Sequence, residues 1–593
     1  MKLLVDALAA AFPLDDSMAY LDRLTTWDRF QASDGIVQAA EFVAGVLDGY
    51  GLSGVTVHRF PCPSRWWTFD GPVSWTPRRA VLRAGGEVVI EYPRDAMSVA
   101  THAAAAAYES LPLRRFGRGD PAGAVLLVDG TELDRAVAAA QHEGALGIVT
   151  DTLGGRLPGA RGRFELPIAT KLFGFSLTGA EFSRMHDAAS VDVVVEVDRS
   201  APMPLVEASL PGDDAGGEIL VQAHLCHPRP GANDNGSGVA AALGLAAALA
   251  SLPRSSRRTI RFLFGPEFVG TVAYLHDFVE TGRRPRPVAA INLDMVGENQ
   301  SACGGPLTVE LPPDHLPSPL GPIAAHVLTL LSDGARTYSG ALPARTWSAI
   351  TTPFVGASDQ GVHADRSVGI PAIMIGHWPD RFNHTSFDTR DKVDPAEMRR
   401  AAVIAGTCAQ MMASVDATMH EELALVVVRH TLERLLAAAG SPHADAGLLE
   451  HVAASGARQV GSLEGLTGCR SDRARSTIDE QRRLLCTLYG FAPVPHAERH
   501  DRTIERTWPG PFNVRGLLQT ATGPAVQRIR ERLATQRQRT YATVLALGLA
   551  IDGRSSRADV LRRARYGSLL DVDPGFANDV FDAMLSASWA RER

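Results

Sequence analysis

The stretch EILVQAHLCHPRPGANDNGSG, from Glu218 to Gly238, decides the fold. It begins as an apolar run typical of a buried strand and ends where an alanine-rich helical pattern, residues 239–252, begins. Its polar residues are therefore expected at the carboxyl end of a strand, where an α/β sheet opens into a crevice. The imidazoles of His224 and His227 and the carboxylate of Asp234 together suit a divalent metal, zinc above all. The alternative is a polar loop that caps the following helix.

Composition is consistent with an enzyme and excludes several other classes. The chain has 593 residues, which is too long for one ordinary core and predicts two to four domains. The formal net charge is −7, so the chain as a whole lacks the excess of positive charge that is typical of nucleic-acid-binding proteins. Six cysteines without a CxxC pair indicate neither a disulfide framework nor a cysteine-rich zinc module.

The N-terminus MKLLVDALAAAFPLDDS resembles a signal peptide only briefly. Asp6 interrupts its apolar core, and the following residues are acidic and offer no small-residue cleavage site. No apolar run in the chain is long enough to cross a membrane. We therefore expect a cytoplasmic protein without a membrane partner.

The periodicity and composition of the sequence change three times along the chain. Helical periodicity comes first, short β-rich runs with Gly and Pro follow, strands then alternate with helices, and the last part is helical and rich in Arg. Alternation predicts an α/β fold with a mixed, mainly parallel sheet flanked by helices. A β-rich insert and a mostly α-helical C-terminal region complete the prediction. The four predicted segments are 1–60, 61–204, 205–415 and 416–593.

Four further segments follow apolar strands of the alternating region with residues that a metal site could use. Each residue alone has an ordinary explanation, such as a turn cap or a solvated loop. A carboxylate next to an apolar strand is costly without a partner, however, and all four segments would lie along one sheet. The residues are Glu267 in FLFGPEFVG, Asp294 in INLDMVGE, Asp359 in VGASDQGVH, and His384 and Asp388 in NHTSFDTRDKVD.

These motifs, in this order, resemble the zinc-dependent exopeptidase superfamily, which contains aminopeptidases, glutamate carboxypeptidases and glutaminyl cyclases. The CHP ahead of ANDN and the single-glutamate PEFVGTVAYL are similar to a bacterial aminopeptidase-like subgroup. The β-rich insert resembles a protease-associated domain, on the runs GAVLLVDG and GALGIVTD. The subgroup also carries a winged-helix-like C-terminal region, which the resemblance implies for the last part of this chain.

The resemblance implies roles for the matching residues. Asp234 corresponds to a carboxylate that bridges two zinc ions, and its peptide bond to Asn235 is a candidate for the cis form. Asp294 would share one zinc with the first histidine, and His384 would bind the other. Asp359 and Asp388 would orient the ligands or close the site.

Two departures from the superfamily leave alternatives open. Where relatives have His-x-Asp, this chain has His224, Cys226 and His227. Register favours His224 as the ligand, whereas the CHP signature favours His227. Many relatives have two adjacent glutamates, one a base and one a ligand, but here Glu267 stands alone. We favour Glu267 as the general base, and one or two zinc ions remain open.

The implied activity is zinc-dependent hydrolysis of an amide bond next to a substrate terminus, most simply by an aminopeptidase. Zinc would activate a water molecule, and Glu267 would take its proton. Trp378 and Arg381 are candidates for contacting a peptide or a small amide substrate. One alternative is a one-zinc acyl transferase like the glutaminyl cyclases. Another is an inactive binding protein, although a nucleic-acid partner is disfavoured, and homo-oligomerisation is left open.

Overall fold

The computed structural model describes residues 1–213, 216–253, 256–282, 286–332, 339, 347–492 and 502–593. Within these ranges the chain contains two large β-sheets, helices that cover them, and a helical C-terminal region. The α/β class and the mixed, mainly parallel sheet predicted from the sequence are confirmed.

The strands are numbered along the described chain. They are β1 Ser53–Phe60, β2 Arg65–Trp66, β3 Phe69–Asp70, β4 Thr76–Ala84, β5 Glu87–Tyr92, β6 Ala106–Arg115, β7 Val125–Asp129, β8 Gly147–Asp151, β9 Phe173–Ser176, β10 Ser190–Asp198, β11 Met203–Leu210, β12 Glu218–His224, β13 Thr259–Gly265, β14 Pro287–Leu293, β15 Leu307–Glu310, β16 Ala349–Thr352, β17 Ala372–His377, β18 Ile504–Arg506 and β19 Ala590–Glu592.

The α-helices are numbered in the same way. They are α1 Lys2–Ala11, α2 Leu14–Leu24, α3 Asp34–Gly49, α4 Leu133–Glu143, α5 Gly179–Met185, α6 Gly238–Ser251, α7 Val269–Thr281, α8 Gln300–Cys303, α9 Leu320–Ser332, α10 Gln360–His363, α11 Pro395–Ser414, α12 His420–Ala439, α13 Ala446–Thr467, α14 Asp472–Tyr489, α15 Val514–Thr520, α16 Pro524–Thr535, α17 Arg537–Ala550, α18 Arg557–Ser568 and α19 Pro574–Ser586.

The main sheet has eight strands in the order β1-β11-β13-β12-β14-β17-β15-β16. Its four central strands, β13, β12, β14 and β17, are mutually parallel, and the strands outside them include antiparallel neighbours. Every residue of β12 is buried, as expected for a strand covered on both faces. Because the central strands are parallel, the residues that follow them gather at one edge of the sheet.

Helices cover both faces of this sheet. The helix α6 is rich in alanine and almost entirely buried, and small side chains let it pack closely between the sheet and the helices α2 and α11. Its apolar residues join those of α1, α3 and α11 in the largest core of the molecule. The N-terminal helices therefore complete the domain that begins again at β11.

The second sheet has seven strands in the order β5-β4-β10-β6-β7-β8-β9 and a core of its own. Strands β6 to β9 are parallel to one another, and β4, β5 and β10 are antiparallel. The sequence from β4 to β10 thus folds as a separate layer, consistent with the predicted β-rich insert, whereas Trp66 of β2 and Phe69 of β3 pack in a core with residues of β11, β13 and α7.

Beyond α11 the chain is mostly helical, as the texture of the sequence indicates. The helices α12, α13 and α14 pack together, and α15 to α19 surround a further core beside the short β18–β19 ribbon. This last part docks on the main domain through Asp365, which accepts hydrogen bonds from Arg506 Nη1 (2.6 Å) and the Phe512 N–H (2.9 Å). Its resemblance to a winged helix stays a prediction.

In the described part of the chain, no helix combines the length and the hydrophobicity that are needed to cross a membrane.

Candidate metal centre

Three central strands deliver polar side chains to the same edge of the main sheet. His224 is the last residue of β12, Asp294 directly follows β14, and Glu267 lies two residues after β13. The loop after β17 brings His384 to the same place, since its side chain lies against Asp234. Parallel register explains this convergence of residues that lie far apart in the sequence.

Asp234 lies in a kinked helical turn, Ala232–Ser237, between β12 and α6. Its peptide bond to Asn235 is cis, as the resemblance implies. The Asn235 side chain holds the turn in place, because its Nδ2 donates to the Leu293 carbonyl (2.9 Å) and its Oδ1 accepts from the Met295 N–H (3.1 Å). The carboxylate of Asp234 is thereby fixed next to the end of β14.

One oxygen of Asp234 belongs to a first group of side-chain atoms that could hold a metal ion. His224 Nε2 lies 3.3 Å from Asp234 Oδ1 and 3.2 Å from Asp294 Oδ1. All three residues are buried. The Cys226 carbonyl oxygen lies 3.1 Å from His224 Nδ1 and can accept its proton, which leaves Nε2 to face the carboxylates.

The other oxygen of Asp234 belongs to a second group. Asp234 Oδ2 lies 3.4 Å from His227 Nε2 and 3.1 Å from His384 Nε2. His227 is buried, and its backbone exchanges two hydrogen bonds of 2.9 Å with that of Arg29. His384 is half exposed and has a positive φ of 59°, so its backbone is held in an uncommon conformation.

The pKa values of these groups reflect burial among carboxylates. Burial lowers the pKa of His224, but Asp294 and Asp234 raise it by more, so that it stands well above its ordinary value. Burial lowers the pKa of His227 to about 3. Burial opposes ionisation of Asp234, yet His227, His224 and His384 together hold its pKa well below the usual range. Of these three groups only His224 has a raised pKa, so a cation that bound to its Nε2 would have to displace a proton there.

The donors in both groups fit zinc. Asp234 Oδ1 and His227 Nε2 are buried side-chain atoms that form no hydrogen bond within the described part of the protein. Such atoms are costly to bury, and a metal ligand bond would satisfy them. Each group offers imidazole nitrogen and carboxylate oxygen, which are ordinary zinc ligands. The carboxylate of Asp234 is common to both groups and would be shared if each group held an ion.

Glu267 lies beside both groups and lines the same cavity as His224, His227 and Asp234. Burial raises the pKa of its carboxyl, and Asp294 and Asp234 raise it further against the opposing effect of His224. Its backbone N–H points to Cys226 Sγ at 3.2 Å. Cys226, which replaces the aspartate of the superfamily pattern, therefore supports the Glu267 turn.

Asp359 and Asp388 both support the backbone of the centre. Asp359 Oδ1 accepts a hydrogen bond from the N–H of Phe268 (2.7 Å), the residue that directly follows Glu267. Phe268 itself has a positive φ of 59°. Asp388 accepts from the Asn233 N–H with Oδ1 (2.7 Å) and from the Asp234 N–H with Oδ2 (3.0 Å). These contacts are consistent with the orienting roles that the sequence predicts for the two aspartates.

The cavity beside the two groups of candidate ligands is also lined by segments that were not predicted from the sequence. Arg163 and Glu165 of the insert form an ion pair, line the cavity, and are joined there by His102. The Arg163 N–H donates to the His384 carbonyl (2.8 Å), so the insert is tied to the metal-site loop. Neither residue lies in a motif, and only the tertiary structure brings the pair to the site.

The two predicted substrate contacts lie elsewhere. Trp378 is 42% exposed, and Arg381 is exposed with its guanidinium carbon 5.6 Å from the centre of the Phe382 ring. Neither is among the described residues that line the cavity next to Glu267. Their roles in substrate binding stay predictions.

The fold and the two groups of candidate metal ligands together define the class of protein: the domain built around the main sheet has the fold of the zinc exopeptidase superfamily. Residues 206–408 match the model of peptidase family M28, which makes zinc the expected cofactor and identifies a zinc metallopeptidase. Residues 77–303 also match a domain of unknown function, DUF4910. The comparison with curated proteins gave no match.

Solved structures share the fold at low sequence identity. A zinc aminopeptidase from Bacillus subtilis, BSAP, is 17% identical with a TM-score of 0.50 over 67% of this chain and 94% of that one. A putative peptidase from Clostridium acetobutylicum is 12% identical with a TM-score of 0.51, over 99% of this chain and 98% of the other. A peptidase M28 precursor from Shewanella amazonensis is 16% identical with a TM-score of 0.51, over 70% and 97%.

Single replacement of the two histidines tests whether both are ligands. Because His224 and His227 face different oxygens of Asp234, we expect His224→Ala and His227→Ala each to lose about one zinc ion per chain and to retain the ion of the opposite group. Elemental analysis of the purified variants measures this. His186→Ala, in the insert, is the matched control and should keep the full zinc content. An unchanged zinc content in either histidine variant would exclude that residue as a ligand.

Proposed function

We propose that the chain is an aminopeptidase that holds two zinc ions on opposite oxygens of Asp234. The observation that carries the proposal is the division of the ligands: His224 and Asp294 face one oxygen, and His227 and His384 face the other. A one-zinc acyl transferase would have no use for the second group.

The chain compensates for the missing second glutamate of the superfamily pattern. In this proposal His227 takes the ligand position that relatives fill with that glutamate, and Glu267 is left free of a ligand role. The CHP signature and the lone glutamate are then parts of one change. One exchange of ligand would then account for both departures from the superfamily pattern, with two zinc ions held.

Bound zinc would supply an acidified water molecule and polarise the carbonyl group of the scissile amide. The Glu267 carboxylate would accept the proton of the attacking water and deliver it to the leaving amine nitrogen. The raised pKa of Glu267 suits a group that must take up and release a proton in one cycle. Asp359, through the Phe268 N–H, would keep Glu267 in position.

The walls of the cavity favour cleavage next to a substrate end. The N-terminal segment around Arg29, the insert around Trp75 and Arg163, and the metal-site residues all line it. A long chain would have to pass through these walls, whereas a terminus needs only to enter. We also propose that domain boundaries lie at residues 61, 205 and 416. In this division the insert is the domain that narrows the entrance to the site.

The choice of an aminopeptidase is tested with paired peptides. The purified protein should release the N-terminal residue from short peptides with a free α-amine, and should fail on the same peptides after N-acetylation. Mass spectrometry of the products identifies the bond cleaved. Release from the C-terminus, or equal cleavage of the acetylated peptides, would contradict the proposal. Addition of a chelator to the active sample provides the control for metal dependence.

A further inference from the structure

A third group of metal-ligating side chains lies outside the centre described above. Glu298 follows β14, Cys303 ends the short helix α8, and Asp380 follows β17. One ligand atom from each lies within 4.8 Å of the others. None of the three residues belongs to the groups around Asp234, and the proposed function does not use them.

Glu298 provides an independent sign that this group binds a ligand. Its side chain is completely buried. The oxygen Oε1 accepts a hydrogen bond from the Gly305 N–H (2.8 Å), but Oε2 is buried without a hydrogen-bond partner among the described residues. An unpartnered carboxylate oxygen is costly to bury, which calls for a cation or a proton at that position.

The surroundings of the group are rich in negative charge. Burial and the Asp380 carboxylate raise the pKa of Glu298 to about 8, and burial, Asp380 and Glu298 raise the pKa of the Cys303 thiol to about 12. The ammonium group of Lys392 pairs instead with Asp391 and lies 5.0 Å from the centre of the Phe382 ring. Charge repulsion among these groups would be relieved by a divalent cation.

We propose that Glu298, Cys303 and Asp380 form a further zinc site, separate from the catalytic pair. A thiolate with two carboxylates selects zinc over the harder magnesium and calcium ions, which avoid sulfur. A water molecule would complete four ligands. Asp380 is only half buried and offers a route of entry from solvent. Binding would release the thiol proton, so affinity should rise with pH.

The site would stabilise the catalytic loop rather than take part in the reaction. Asp380 begins the segment that leads to His384, and its Oδ2 accepts from Asn233 Nδ2 at 2.9 Å. Asn233 directly precedes the bridging Asp234. An ion held by Glu298 and Cys303 would therefore anchor Asp380, and through it both neighbouring ligand segments.

Metal content and cobalt spectroscopy test this site on the full-length protein. We expect the wild-type protein to bind one zinc ion per chain more than Cys303→Ala or Glu298→Gln binds. The zinc ions of the groups around Asp234 should be retained equally in all three proteins. After exchange to Co²⁺, the wild type should show a near-ultraviolet thiolate-to-cobalt band that Cys303→Ala lacks. Cys486→Ala, a half-buried cysteine on α14, is the matched control and should retain both the ion and the band.

The variant Cys226→Ala separates this site from the catalytic centre. Because Cys226 lies beside His224, the band must persist in this variant if Cys303 is its source. Equal metal content in wild type, Cys303→Ala and Glu298→Gln would overturn the proposal and leave a proton on Glu298 instead. Should Cys303→Ala fail to fold, the metal content of the nearly isosteric Glu298→Gln decides between the two results.

Discussion

Replacing Asp234 by asparagine should abolish peptide hydrolysis and remove both catalytic zinc ions. Both ligand groups depend on this one carboxylate, since His224 contacts one oxygen and His227 and His384 the other. Asparagine has nearly the same shape but offers one neutral oxygen and an NH₂ donor, which would point at a cation or a histidine. We expect kcat/KM to fall by at least about 10³-fold, equivalent to about 4 kcal/mol of transition-state stabilisation.

The experiment measures zinc per chain and peptide hydrolysis on the same samples. Asp48→Asn, the same change at an exposed position of α3, serves as the matched control and should leave both unchanged. A thermal unfolding curve shows whether Asp234→Asn still folds. If this variant retained two catalytic zinc ions and full activity, the bridging position would have to be assigned to another residue.

Replacing Glu267 by glutamine should abolish most of the activity while leaving the zinc content intact. Glutamine fills the same space but cannot accept the proton of the attacking water, and general-base catalysis contributes about 10² to 10⁴ in rate. We therefore expect kcat to fall by a factor in this range, with a much smaller change in KM because the cavity keeps its shape. Steady-state kinetics and elemental analysis on one preparation give all three quantities.

This result distinguishes the two roles that the sequence leaves open for Glu267. If Glu267 is the base, the Glu267→Gln variant loses activity and keeps its zinc. If Glu267 is a zinc ligand, the variant loses zinc and activity together. Glu433→Gln, on the exposed face of α12, is the matched control. Full activity in Glu267→Gln with normal zinc content would show that the base lies elsewhere.

Local patterns identified every residue of the two ligand groups. Each lies directly at or after an apolar strand or in a distinctive loop motif, and strand ends are visible in the alternation of apolar and polar residues. Whether His224 or His227 is the ligand could not be decided in this way, because the choice depends on the direction of each side chain. The structure places both histidines against Asp234, on different oxygens.

Two sets of residues could not be found from local patterns: those that line the cavity from the insert, and those of the third group of possible metal ligands. Arg163 and Glu165 lie in a loop of the insert, and nothing in RGRFELP indicates that it reaches the metal-site loop. Cys303 and Asp380 are 77 positions apart in the sequence, and neither stands in a recognisable metal motif. Their proximity results from β14 and β17 being neighbours in the sheet.

The sequence by itself determined the α/β class, the strand ends that bear the candidate ligands, and zinc as the expected metal, because periodicity and side-chain type are local properties. Only the tertiary structure decided how those ligands divide between the two oxygens of Asp234, which walls enclose them, and that Glu298 meets Cys303 and Asp380. The physical reason is that strand order and loop packing set distances between remote residues. No local pattern in the chain encodes those distances directly.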